Sequence, residues 1–174
     1  MVFYLRLGKI NPMKIVILAA GKGTRMNHLT QDVPKPLLRY EGKNLLEHKL
    51  DILPPTIHEI IFVIGYLGEK IKQYFGDSYK GIPIRYVEQK ETKGTAHALF
   101  QCKEFLNETF MVLMGDDLYI KDDIEKLISL EDSWAVLAYP DTPGTKAGKI
   151  VKDESGNLKE IYEDFEGTSP YNLL

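Results

Sequence analysis

Short runs dense in Ile, Val, Leu and Phe recur along the chain, and stretches with apolar residues at helical spacing separate them. That alternation requires βα units laid around a mostly parallel sheet. The runs are residues 14–19, 59–65, 83–88, 109–114 and 134–139. They are nearly continuous in apolar character, so the sequence predicts strands covered on both faces. Residues 45–53, 69–75, 95–106 and 122–129 carry the helical spacing and read as the crossovers. Near the end, residues 149–152 and 158–162 flank Asp153-Glu154-Ser155-Gly156-Asn157, the pattern of an antiparallel hairpin appended to the sheet.

With 174 residues, 44% hydrophobic and 27% charged, the chain can bury one sizeable core, and a single unit over residues 13–174 is expected. The first twelve residues, MVFYLRLGKINP, lack a continuous apolar stretch and a small-residue cleavage site, so they read as an extension of unassigned role and not as a signal peptide. A net charge of −3 argues against nucleic acid as a partner, and any phosphate must be held by a few local cations. Cys102 is the only cysteine, which excludes an intrachain disulfide and a zinc site closed by thiolates and suits a reducing cytoplasm. The apolar runs fall well short of the roughly 20 residues of a membrane span, so no membrane contact is expected. A homo-oligomer stays open.

In an open α/β sheet, ligands bind beyond the carboxyl ends of the strands. The segments that follow strands there are residues 20–35, 89–95 and 115–117. The first holds Gly21, Lys22, Gly23, Thr24, Arg25 and Lys35; its glycines let backbone N–H groups approach phosphate oxygens, and its cations add charge. A P-loop is excluded, because Gly23 is followed by Thr24 and Arg25 and no glycine stands five residues before it. The dinucleotide fingerprint fails at Met26, where a third glycine belongs. For the glycine pair alone, a tight turn with solvated Arg25 and Lys35 is the competing reading.

Residues 18–26, LAAGKGTRM, followed by Pro34-Lys35-Pro36-Leu37, resemble the paired signature of the sugar-1-phosphate nucleotidylyltransferases. The resemblance covers most of residues 13–163 and about two-thirds of that family's catalytic domain. It implies a Rossmann-like three-layer α/β/α sandwich, here cut short at its C-terminal side. It implies that Ala20, Gly21, Gly23 and Thr24 line a triphosphate, that Arg25 holds its β and γ phosphates, and that Lys35 neutralises charge at the α-phosphate. It also implies that Gln89 meets the base edge, with Gly94 and Thr95 packing the nucleoside, and that Asp116 holds magnesium, with Asp117 either supporting that ligand or facing the sugar. A glutamine amide offers the donor and acceptor that a uracil or thymine edge requires, and magnesium takes few carboxylates together with phosphate oxygens.

Other roles compete for some of these residues. Thr95 could be a helix cap, the aspartates could belong to a turn, with Asp122 and Asp123 better suited to capping the next helix, and His97 receives no chemical role. On the acceptor side the resemblance assigns Gly148 and Glu163 to the sugar phosphate, although both could equally be structural. Asp164 stands where the family carries lysine, so either Lys146, Lys149 or Lys159 supplies that charge or the acceptor differs from an ordinary hexose 1-phosphate. A second metal-binding aspartate expected beyond an N-T-G segment does not occur before Leu174, so the chain is expected to be a truncated piece of weak or no activity. The implied reaction transfers a nucleotidyl group from UTP or dTTP to a sugar 1-phosphate, using magnesium and releasing pyrophosphate. A cytidylyltransferase with another phosphate acceptor and a non-catalytic module that binds a nucleotide or a sugar phosphate are the alternatives.

Overall fold

β2 (Met13–Ala19) is the hub, because it is apolar on both sides and five of its seven residues are buried beyond Lys14. A computed structural model describes residues 3–5, 12–23, 26, 29–130, 134–140, 149–162 and 171–173. β2 pairs in parallel with β5 (Ile57–Ile64) and β8 (Phe110–Met114), in registers that include Ile15 with Ile60 and Val16 with Val112. β7 (Ile82–Glu88) extends the parallel set beside β5. Antiparallel strands complete it, giving a seven-stranded sheet ordered β6, β7, β5, β2, β8, β1, β9. Here β6 is Ser78–Tyr79, β1 is Phe3–Leu5 and β9 is Trp134–Val136.

Alternate residues of the central strands feed two cores. On one face Ile15, Ile17, Ile60, Phe62, Met111 and Leu113 pack with Leu46 and Leu50 of α1 (Leu45–Asp51), Ile71 and Phe75 of α2 (Gly68–Phe75), and Ile124 and Leu127 of α4 (Lys121–Ser129). On the other, Val16, Leu18, Ile61, Val63 and Val112 meet Ala98 of α3 (Thr95–Phe100) and Cys102 just beyond it. The expected three layers result.

Local chemistry sets the helix ends. Asn44 and Glu47 exchange side-chain and backbone bonds of 2.8 Å at the start of α1, a capping box that satisfies two free N–H groups. Short strands β3 (Arg39–Tyr40) and β4 (Lys43–Asn44) form a hairpin just ahead of it.

The structure departs from the sequence reading in three places. The run at 134–139 splits at Leu137 into β9 and β10 (Ala138–Pro140), and these enter different sheets. The hairpin of β11 (Lys149–Lys152) and β12 (Leu158–Tyr162) forms as expected, but it joins β10 and β13 (Tyr171–Leu173) in a second, four-stranded sheet instead of extending the first. The helix expected over 95–106 ends at Phe100, and a single 3-10 turn, Lys103–Phe105, follows.

Candidate functional site

An open cleft of about 300 Å³ lies beyond the carboxyl ends of β2, β7 and β8. All three loops singled out by position contribute to its lining: Ala20, Gly21 and Gly23 from the first, Gln89, Gly94 and Thr95 from the second, and Asp116 from the third. Lys35 joins them from the end of the first loop. The parallel register brings these residues together. The Gln89 N–H donates to Ile64 O and the Gly115 N–H to Leu18 O, both at 2.8 Å, so each loop leaves its strand pinned to a neighbour.

In the first loop Gly23 adopts a left-handed φ of 63°, and its carbonyl accepts from Thr30 Oγ1 and the Met26 N–H, both at 3.0 Å. Only glycine takes this conformation without strain, and an added Cβ would also sit 3.1 Å from Thr30 Cγ2. Pro34, extended, then starts the 3-10 turn Lys35–Leu37, which delivers Lys35 to the cleft. Thr24 and Arg25 of this loop, and Gly148, Glu163, Asp164 and Lys146 on the acceptor side, lie outside the described residues. Lys159 is exposed on β12.

Gln89 is 6% exposed. Its Nε2 lies 3.3 Å from Gly94 O and 3.1 Å from His97 Nδ1. The carbonyl can only accept, so the amide nitrogen faces Gly94, and His97 Nδ1 accepts from it in the matching tautomer. Gln101 Nε2 donates to His97 O at 3.1 Å and lies 3.2 Å from His97 Nε2. His97, given no role from sequence, therefore buttresses Gln89; the signal available was its position eight residues on, at the start of the adjoining helix. Thr95 is the first residue of α3 and not its cap, a place taken by Gly94 at φ 90°. Similarly, α4 begins after Ile120, and neither Asp122 nor Asp123 occupies the capping position.

At the end of β8, Asp116 Oδ2 and Lys35 Nζ form an ion pair of 2.6 Å, with both side chains about one-third exposed. On the core side of the same turn lies Lys49 of α1, fully buried, whose Nζ donates to Leu45 O at 2.9 Å and Gly115 O at 3.1 Å. Burial draws its ammonium down to about 8, while the carboxylates of Asp117 and Asp116 pull the other way. Tyr119 completes this support, accepting from the Met114 N–H at 3.0 Å and donating to Asp117 Oδ2 at 3.5 Å. Burial, reinforced by Asp117, holds its hydroxyl protonated well beyond the usual range. Lys49 escaped the sequence reading, although it occupies the buried stripe of α1 with Leu46 and Leu50.

Two adjacent carboxylates at a strand end, one of them lining the cleft, suit a hard cation that arrives with phosphate oxygens and water. Among the described residues no group of three or more His, Cys, Asp or Glu side chains forms a metal cage of its own. Among the same residues no helix is long and apolar enough to cross a membrane.

A family model described as nucleotidyl transferase matches residues 14–166. The UTP–glucose-1-phosphate uridylyltransferase AglF of Haloferax volcanii is 35% identical over 168 residues, which cover 93% of this chain and 69% of AglF. The bifunctional protein GlmU of Methanococcus maripaludis is 37% identical over 124 residues, 71% of this chain and only 29% of GlmU. In fold, the chain resembles a putative glucose-1-phosphate thymidylyltransferase from Bacillus anthracis, solved with sucrose, at a TM-score of 0.80 and 24% identity, over 92% of this chain and 68% of that one.

Proposed function

Because the chain belongs to the nucleotidyl transferase family, we propose that it binds UTP or dTTP in the cleft and transfers the nucleotidyl group to a sugar 1-phosphate. A phosphate oxygen of the sugar attacks the α-phosphorus, the bond from that phosphorus to the bridging β-oxygen breaks, and pyrophosphate leaves with the electron pair. Such a transfer needs positioning and charge neutralisation more than covalent help from the protein.

Ala20, Gly21 and Gly23 present backbone to the triphosphate, with Thr24 and Arg25 continuing the same loop. Lys35 carries the positive charge for the α-phosphate; in the free protein it is paired with Asp116, and nucleotide binding exchanges that carboxylate for phosphate. Magnesium held by Asp116, with Asp117 alongside, would offset the negative charge of the triphosphate and of the departing pyrophosphate. Gln89 reads the base. Its Nε2 is engaged by Gly94 and His97, which leaves Oε1 to accept from the N3–H that uracil and thymine share. Gly94 and Thr95 flank the nucleoside, and Gly148 and Glu163 serve the sugar phosphate.

The observation that carries this reading is the convergence of Gly21, Gly23, Lys35, Gln89 and Asp116 on one cleft at the carboxyl edge of the sheet. Pyrophosphate release with glucose 1-phosphate and each of UTP, dTTP, CTP and GTP tests it. Weak release with UTP or dTTP is expected, and Lys35→Ala should reduce it on the order of 100-fold through the loss of one charge-stabilising group. Turnover of CTP alone would replace the substrate class, and failure to bind either UTP or dTTP would remove the nucleotide from the cleft.

A further inference from the structure

Among the described residues Lys49 is the only charged side chain that is buried. A charge taken out of water is costly unless it is bonded and paired, and Lys49 meets that demand in a particular place. Its ammonium donates to Leu45 O, one turn back on its own helix, and to Gly115 O, 66 residues away. Gly115 O belongs to the peptide unit whose nitrogen is that of Asp116. The N–H of Gly115 is already tied to Leu18 O on β2 at 2.8 Å. Both backbone groups of the residue before Asp116 are thus fixed, one to the central strand and one to α1. On the cleft side of the turn Lys35 holds the Asp116 carboxylate. The Tyr119 ring centroid, 6.0 Å from Lys49 Nζ, closes the core side.

We propose that Lys49 is a positioning residue for the Asp116–Asp117 turn: its bond to the Gly115 carbonyl fixes the peptide from which Asp116 departs, and so presets the carboxylates for a nucleotide-bound cation. The inference rests on the reading of Asp116 as the metal-facing group. In Lys49→Met, which keeps the volume and removes the donors, the Gly115 carbonyl loses its partner and the turn loses one of its two anchors.

Mn²⁺ in the presence of UTP is the probe, with bound metal read by electron paramagnetic resonance in the whole chain. Wild type, Asp116→Asn and Lys49→Met are compared, and UTP affinity without metal is measured beside them. Groups that orient metal ligands are worth about 10–100-fold in metal affinity. Lys49→Met is therefore expected to weaken Mn²⁺ binding at least 10-fold while metal-free UTP affinity changes less than about twofold, a split that general loosening of the fold would not produce. If Asp116→Asn abolishes Mn²⁺ binding and Lys49→Met leaves it intact, the role of Lys49 is overturned and the reading of Asp116 stands. If Asp116→Asn binds Mn²⁺ as wild type does, the reading of the site fails and the role of Lys49 with it. Should Lys49→Met not fold, the ammonium resonance of Lys49 in ¹⁵N-lysine-labelled wild type decides: a shift on adding Mg²⁺ to the UTP-bound protein supports the proposal, and an unmoved resonance overturns it.

Discussion

A methyl group on Gly115 would lie 2.7 Å from Leu18 O and 3.1 Å from Ala19 Cα. Both obstacles are backbone of the central strand and cannot step aside. Gly115→Ala is therefore expected to cost about 1–3 kcal/mol, the range for overpacking, read as a fall in the urea midpoint. Gly21 is the opposite case: nothing lies within 4 Å of its added Cβ. Gly21→Ala should leave the unfolding free energy from urea titration within about 0.5 kcal/mol of wild type yet weaken UTP binding, because the space it fills is what a phosphate would use. Loss of stability without loss of binding would reverse the assignment. The cleft residues were legible because their position after apolar runs implies the carboxyl edge of the sheet, and glycine, lysine and aspartate there suit phosphate and metal. Lys49 and His97 were not legible in this way. A lysine within a helix reads as a solvated side chain until the packing of α1 against β8 is known, and His97 gains its part only from the amide orientation of Gln89.

Between elements, Asp51 at the end of α1 ties three pieces of chain together. Its carboxylate accepts from Lys43 of β4, from Lys80 at 2.6 Å and from Tyr79 of β6 at 2.8 Å. The hydrogen bonds of Lys43 and Lys80 hold its carboxyl well below the ordinary range, outweighing the opposite effect of desolvation. A depressed acid stabilises the fold above its unfolded value of about 3.9, and that contribution fades as pH falls and the folded carboxylate is finally protonated. Because both lysines are largely exposed, the expected cost of Asp51→Asn at pH 7 is about 1 kcal/mol. The gap between variant and wild type in urea titrations should narrow steadily below about pH 4, and a gap independent of pH would show that the charge is irrelevant. The elements themselves were legible where apolar runs were continuous, as in β2, β5 and β8. They were misread where tertiary partners decide: the run ending at Tyr139 divides because its halves join different sheets, and the helix after Gly94 stops at Phe100 with Cys102 buried against β2 and β8.

For the molecule as a whole, a ligand that binds only the folded chain raises its stability by about 2.7 kcal/mol at one hundred times its Kd. For a chain of this size that corresponds to a rise in Tm of roughly 5–10 °C. UTP with magnesium should produce such a rise in a thermal melt, and UTP with Asp116→Asn a smaller one. Equal shifts in the two proteins would detach Asp116 from the ligand. The layered architecture was legible from alternation alone, because each apolar run needs cover on two faces. The place of residues 3–5 was not legible. Three residues carry no periodicity, and only the finished sheet shows that they lie between β8 and β9, with Phe3 opposite Val112 and Val136. β8, the strand that leads to Asp116, thus borrows its outer neighbour from the opening of the chain. A protein prepared without residues 1–12 would leave the main-chain donors and acceptors along Phe110–Val112 bare on that side, an invitation to a foreign strand, and its solutions should turn cloudy at concentrations the full chain tolerates.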